Sequence, residues 1–315
     1  MDENLLAAMV ILRYLEEVEV PLSGADTQSH LLGTHIFLQA QESHTMTGGL
    51  RQAAYWVALR QEIYIAFVSQ RSIVPTLEHC AIERSLEPGD DCTWANRIIV
   101  HCAHVIKYCF GDASKTTSLY DGLVEYCERW MTFKPPSFDP MFLREPTNAD
   151  GDGGGKDKIF PEIWLLNDAV VTALQHYHLA RILLSAHNPK VPRLGPSSRP
   201  ALKIVDEDIK FHVRTICGMA LSNARTPPCF VPLNAWLIRT CSTASMAITC
   251  AGDRFETREE QDALMKILEK TEKEHAWPTA SARGHLREAW GWGEAMDEIS
   301  TSPDNTTAAV AATPG

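Results

Sequence analysis

The sequence predicts an all-α protein, one large helical domain of about nine or ten stacked helices without significant sheet, and three observations carry that expectation. Apolar residues recur at spacings of three and four along most of the 315 residues. Proline and glycine punctuate the intervals between these stretches. No stretch reads convincingly as a strand or hairpin.

The elements follow in order. Leu5, Leu6, Met9, Leu12 and Leu15 make one face of a helix over 5–18, ended by Pro21 and Gly24. A second helix is expected near 30–41 and a third over 50–70, entered through Gly48 and Gly49. The third is apolar almost all round, with Tyr55, Trp56, Val57, Leu59, Ile63, Ile65 and Phe67, so it belongs at the centre. Asp90 or Asp91 can cap the next helix, whose stripe is Trp94, Ile98, Cys102, Val105, Cys109 and Phe110. Another follows over 119–133.

Proline and glycine dominate 135–155, and the run DGDGGGKDK marks 147–158 as a flexible loop. The helical pattern resumes at Pro161, a first-turn proline, above Ile163, Leu166, Val170, Leu174, Tyr177, Leu179 and Leu183. A proline-rich link over 189–200 leads to helices near 205–223, 233–251, 258–276 and 281–290. The helical domain thus covers 1–298, and the small polar residues of 299–315 read as a disordered tail.

Composition narrows function. A hydrophobic fraction of 45% excludes disorder throughout. A net charge of -11 opposes direct contact of this chain with a phosphate backbone. The nine cysteines (Cys80, Cys92, Cys102, Cys109, Cys127, Cys217, Cys229, Cys241 and Cys250) form no C-x-x-C pair, and several lie in apolar helical stretches, which suits a reducing compartment. Asp2 and Glu3 replace the basic start of a signal peptide, no apolar run reaches membrane-spanning length, and no membrane association is expected.

No residue is assigned a catalytic, cofactor-binding or metal-binding role. Asp90 and Asp91 lack the further carboxylates that a magnesium-diphosphate site needs, and helix capping accounts for them. His101, His104 and Cys109 lie along one helix but supply too few ligands for a closed zinc site. His176 and His178, two apart, fall on different helix faces. Gly151, Gly155 and Lys156 lack phosphate-loop spacing, with Asp157 where a hydroxyl belongs. Asp206, Glu207 and Asp208 suit the positive end of a helix dipole. Trp277, Trp290 and Trp292 serve core packing or a partner patch, and Arg60, Glu62 and Tyr64 serve helix packing or partner contact.

Several stretches together resemble the fungal-specific transcription factor domain of binuclear zinc-cluster regulators. They are SHLLGTHIFLQAQ from Ser29, GGLRQAAYWVALRQEIYIAFVSQR from Gly48, DDCTWANRIIVHCAHVIKYCFG from Asp90 and VEYCERWMTFKPPSFDPMF from Val124. FPEIWLLNDAVVTALQHYHLARILL from Phe160, CGMALSNARTPPCFV from Cys217, CAGDRF from Cys250 and KTEKEHAWPTASARGHLREAWGW from Lys270 complete the set, spanning Leu5 to Trp292. The resemblance implies the helical regulatory region of an RNA polymerase II transcription factor, acting in the nucleus and responsive to an effector or partner. Its partners would be the transcription machinery or other regulators, a small-molecule effector, and a second copy in a homodimer.

In that family a six-cysteine zinc cluster reads DNA. No such cluster occurs here, since the first cysteine is Cys80. Zinc is therefore expected only in a family segment this sequence lacks, and DNA only through that missing domain or a partner. The chain is expected to begin inside the family region, through a late-starting gene model or loss of the reader. Two other readings stay open at this point: a helical enzyme acting on a small apolar metabolite, and a plain scaffold or non-functional fragment.

Overall fold

The computed structural model describes residues 3–19, 49–73, 84–112, 114–146, 159–223 and 240–292. These contain nine helices: α1 (Glu3–Glu19), α2 (Gly49–Val68), α3 (Asp91–Phe110), α4 (Thr117–Phe133), α5 (Asp168–Ala186), α6 (Ser198–Ser222), α7 (Thr240–Ala251), α8 (Arg258–His275) and α9 (Ala280–Ala289). Strands β1 (Phe142–Arg144) and β2 (Glu162–Trp164) pair antiparallel, and short 3-10 turns occupy Pro136–Phe138 and Gly252–Arg254. The fold is all-α, as its periodicity predicts. The expected helix near 30–41, the loop 147–158, the first part of the expected 233–251 helix and the tail 299–315 lie outside the described residues.

The packing centre is α5, which lies against α3, α4, α6 and α7. It earns that place by being apolar around most of its circumference, with Val170, Val171, Ala173, Leu179, Ala180, Ile182 and Leu184 all buried. The other helix expected to be central, α2, is also largely buried and packs on α1, α3 and α7. Val10 of α1 meets Ala54, Val57 and Ala58 in a small cluster apart from the main core.

Trp130 of α4 is fully buried at an aromatic junction. Its ring is stacked 5.8 Å from Tyr177 and edge-on to Phe138 at 5.6 Å, and its Nε1 donates to Trp94 O at 3.1 Å. The Phe138 contact follows from a clip at the start of α3. Asp90 caps the helix by accepting from Thr93 N at 2.7 Å, while the Asp91 carboxylate accepts from Ser137 Oγ and, at 2.7 Å, from Asn167 Nδ2. Asn167 in turn caps α5 through Val170 N at 3.0 Å.

Three expectations are corrected. The chain around Pro161 is a strand, not a helix start. Ile163 and Leu165 are buried while Trp164 is 42% exposed, an alternation of period two. The free edge of β2 is closed by the end of α6: Ile163 N donates to Ser222 Oγ, Leu165 N to Asn223 Oδ1, and Asn223 Nδ2 to Ile163 O at 2.9 Å. The proline-rich link is shorter than 189–200, because α6 already begins at Ser198. Pro200 sits in its first turn, where the missing N–H has no intrahelical acceptor. Finally, the absence of any hairpin fails at the β1–β2 pair.

Close approach of α6 to β2 depends on Gly218. A Cβ there would lie 2.2 Å from Pro161 O, so only glycine fits.

Candidate functional site

The seam between α5 and α6 holds a network of buried and half-buried titratable groups. His178 and Ser185 lie seven residues apart on α5, two turns along one face, and Asp208 and His212 lie one turn apart on α6. Both histidines are under a tenth exposed. Their Nδ1 atoms stand 2.8 Å apart, so one nitrogen donates and the other accepts. His212 Nε2 faces Asp208 Oδ1 at 3.7 Å, and the Ser185 hydroxyl donates to the same carboxylate. Placing the shared hydrogen on His178 turns the Nε2–H of His212 toward Asp208. The opposite tautomer would set a lone pair against that carboxylate.

Burial keeps both rings neutral. It pushes His212 down to about 4 against the pull of Asp208, with Arg181 adding to the depression. His178 falls well below the ordinary histidine range through burial, then through His212 and Arg181. Ser185 bonds to a carboxylate and not to an imidazole, so the arrangement is not an activated nucleophile.

The residues singled out in the sequence go elsewhere. His101 and Cys109 point to different neighbours. Arg84 Nη2 donates to His101 Nδ1 at 3.4 Å and the His101 ring stacks on Tyr126, whereas Cys109 Sγ lies 3.9 Å from Leu183 O. Burial holds His101 near 3, with Arg84 next in effect. His176 is held near 4 by burial and donates from Nδ1 to Thr172 O, on a different face from His178. Among the described residues, no three His, Cys, Asp or Glu side chains are grouped to hold a metal ion. Burial pushes the thiols of Cys109, Cys127 and Cys250 up to about 12, leaving them protonated and hydrophobic in behaviour.

Asp206, Glu207 and Asp208 do not start a helix, because α6 begins eight residues before Asp206. They act separately: Asp206 pairs with Arg254, Glu207 with Lys210 at 3.1 Å, and Asp208 enters the seam. Glu62 ties Arg13 of α1 at 3.2 Å to Arg71 at 2.8 Å, while burial pushes the Arg60 guanidinium down to about 10. Tyr64 accepts from Trp277 Nε1 at 3.1 Å. Trp290 Nε1 donates to Gly252 O, and Trp292 donates to Gln261 while Arg258 covers its ring at 3.6 Å. The glycine and lysine positions of 151–156 lie outside the described residues.

What the sequence did not reveal is the partner of His178. His212 lies 34 residues away, on a helix whose start was misplaced. Comparison of the chain with protein-family models, with curated proteins and with solved structures finds no match. Among the described residues, no helix is long and apolar enough to cross a membrane.

Proposed function

We propose that this chain is the effector- or partner-responsive regulatory region of a fungal RNA polymerase II transcription factor, acting in the nucleus. The observation that carries the reading is the ordered series of stretches resembling the fungal-specific transcription factor domain. Those within the described residues fall on helices α2 to α6 and on the α7–α9 segment around one apolar core. The acidic surface of the chain supports action through proteins or a small effector and opposes direct contact with DNA.

Tethering the chain to an unrelated DNA-binding domain upstream of a reporter in a fungal cell tests this. The expected outcome is a several-fold change in reporter output, in either direction, with the untethered chain accumulating in nuclei. Unchanged output from a well-expressed fusion, with the untethered chain confined to the cytosol, would reject the reading.

A further inference from the structure

A second group of buried polar atoms lies where α3, α4 and the segment entering α3 meet. Arg97 and His101 stand one turn apart on α3, and Tyr126 of α4 stacks on His101 with ring centres 4.5 Å apart. Arg97 is only 2% exposed. Its Nη1 donates to Glu87 O at 2.7 Å and its Nη2 to Ser85 Oγ at 3.3 Å, and its guanidinium lies 5.1 Å from the Trp94 ring. All of these partners are neutral. Asp90, whose carboxyl feels the Arg97 charge, is engaged in capping α3 through Thr93.

Arg84 repeats the pattern from the other side. It donates to neutral His101 and lies 4.8 Å over the Tyr126 ring, again with no carboxylate of the described residues at ion-pair distance. Two donors in this group, Arg97 Nε and Trp94 Nε1, are shielded from solvent and have no hydrogen-bond partner, while the Tyr126 hydroxyl and His101 Nε2 are shielded with only loose contacts, to the Arg84 side chain and the Leu123 backbone. A buried cation with no carboxylate of the described residues at ion-pair distance and buried donors without acceptors are both unfavourable, and here they coincide.

The geometry points to a binding site for a small oxyanion, a carboxylate or a phosphate group, held by Arg84, Arg97 and Tyr126. Every unfilled polar position in the group is a donor, so the missing component is an acceptor bearing negative charge. Arg84 is exposed, so entry is from its side, with its guanidinium lifting from the Tyr126 ring to clasp the anion. The inference rests on this geometry alone and is independent of the transcriptional reading.

The test compares thermal midpoints at constant ionic strength in chloride, acetate and inorganic phosphate, alongside the NMR resonance of the Arg97 Nε–H. Acetate or phosphate is expected to raise the midpoint by several degrees over chloride and to move that resonance; the effective anion identifies the ligand class. Tyr126→Phe and Arg84→Gln should keep the chloride midpoint while losing at least half of the anion-dependent rise. Tyr126→Phe is tolerated because it removes only a hydroxyl in loose contact with Arg84. Absence of any rise in either anion, or an undiminished rise in both variants, overturns the proposal.

Discussion

The two sides of α5 are built from different chemistry. Toward α3 and α4 it presents Tyr177 to Trp130 and the Leu183 backbone to Cys109, an apolar interface whose thiols stay protonated. Toward α6 it presents His178 and Ser185 to His212 and Asp208. The first side depends on volume and is indifferent to protons. The second is held by hydrogen bonds, of which the His178–His212 bond needs at least one Nδ1 without a proton. One helix therefore couples a rigid interface to a pH-sensitive one, and the two can be broken separately.

The largest effect is expected on the apolar side. Trp130→Ala removes a fully buried ring and its bond to Trp94 O, and should cost about 3–5 kcal/mol in denaturant unfolding, equally at pH 8 and pH 6.5. At the α6–β2 contact, Gly218→Val drives side-chain atoms into Pro161 and should cost about 3 kcal/mol, read as a lowered unfolding midpoint.

Acid comes next. The imidazoles of His212, His176 and His101 are lowered in the folded chain to about 4, 4 and 3. The unfolded chain therefore binds more protons, and stability rises with pH. The contribution is fully present above the unfolded value of about 6.5 and is lost as pH falls from there toward 4, by roughly 2 kcal/mol per histidine between pH 7.5 and 5. Replacing the pair by His178→Asn and His212→Asn keeps hydrogen-bonding groups in the seam and should flatten a substantial part of that slope. An unchanged slope would place the acid sensitivity at His101 and His176 instead.

Asn223→Ala leaves Leu165 N and Ile163 O without partners and should cost about 2 kcal/mol, with hydrogen exchange of β2 accelerating before that of α3. The smallest effect is expected at the Lys190–Asp121 pair, where both side chains are half exposed. Lys190→Ala should change stability by about 0.5 kcal/mol or less.

The legible and illegible parts of the molecule divide along the same physical line. Helix α3 was readable because Asp90 is a strong local cap and its apolar stripe runs unbroken. Strand β2 was not, because three residues are too few to separate period two from the spacing of Ile163 and Leu166 in a helix. Prolines hid the first turn of α6, and that displaced start made Asp208 look like a helix-dipole residue. The seam and the Arg84–Arg97–Tyr126 group both depend on residues distant in sequence or on atoms left unbonded. Neither leaves a local pattern, since Arg97 on a helix reads as an ordinary surface charge until its burial is known.

The central claim is that regulation resides in the folded helical body, and one measurement addresses it directly. Reporter output should be compared between the tethered wild-type chain and its Gly218→Val variant at matched protein levels. The wild-type fusion is expected to change output several-fold and the variant to lose most of that change. An acidic chain can also recruit partners without being folded, so equal activity of the two fusions would contradict the claim, as would an inactive wild-type fusion.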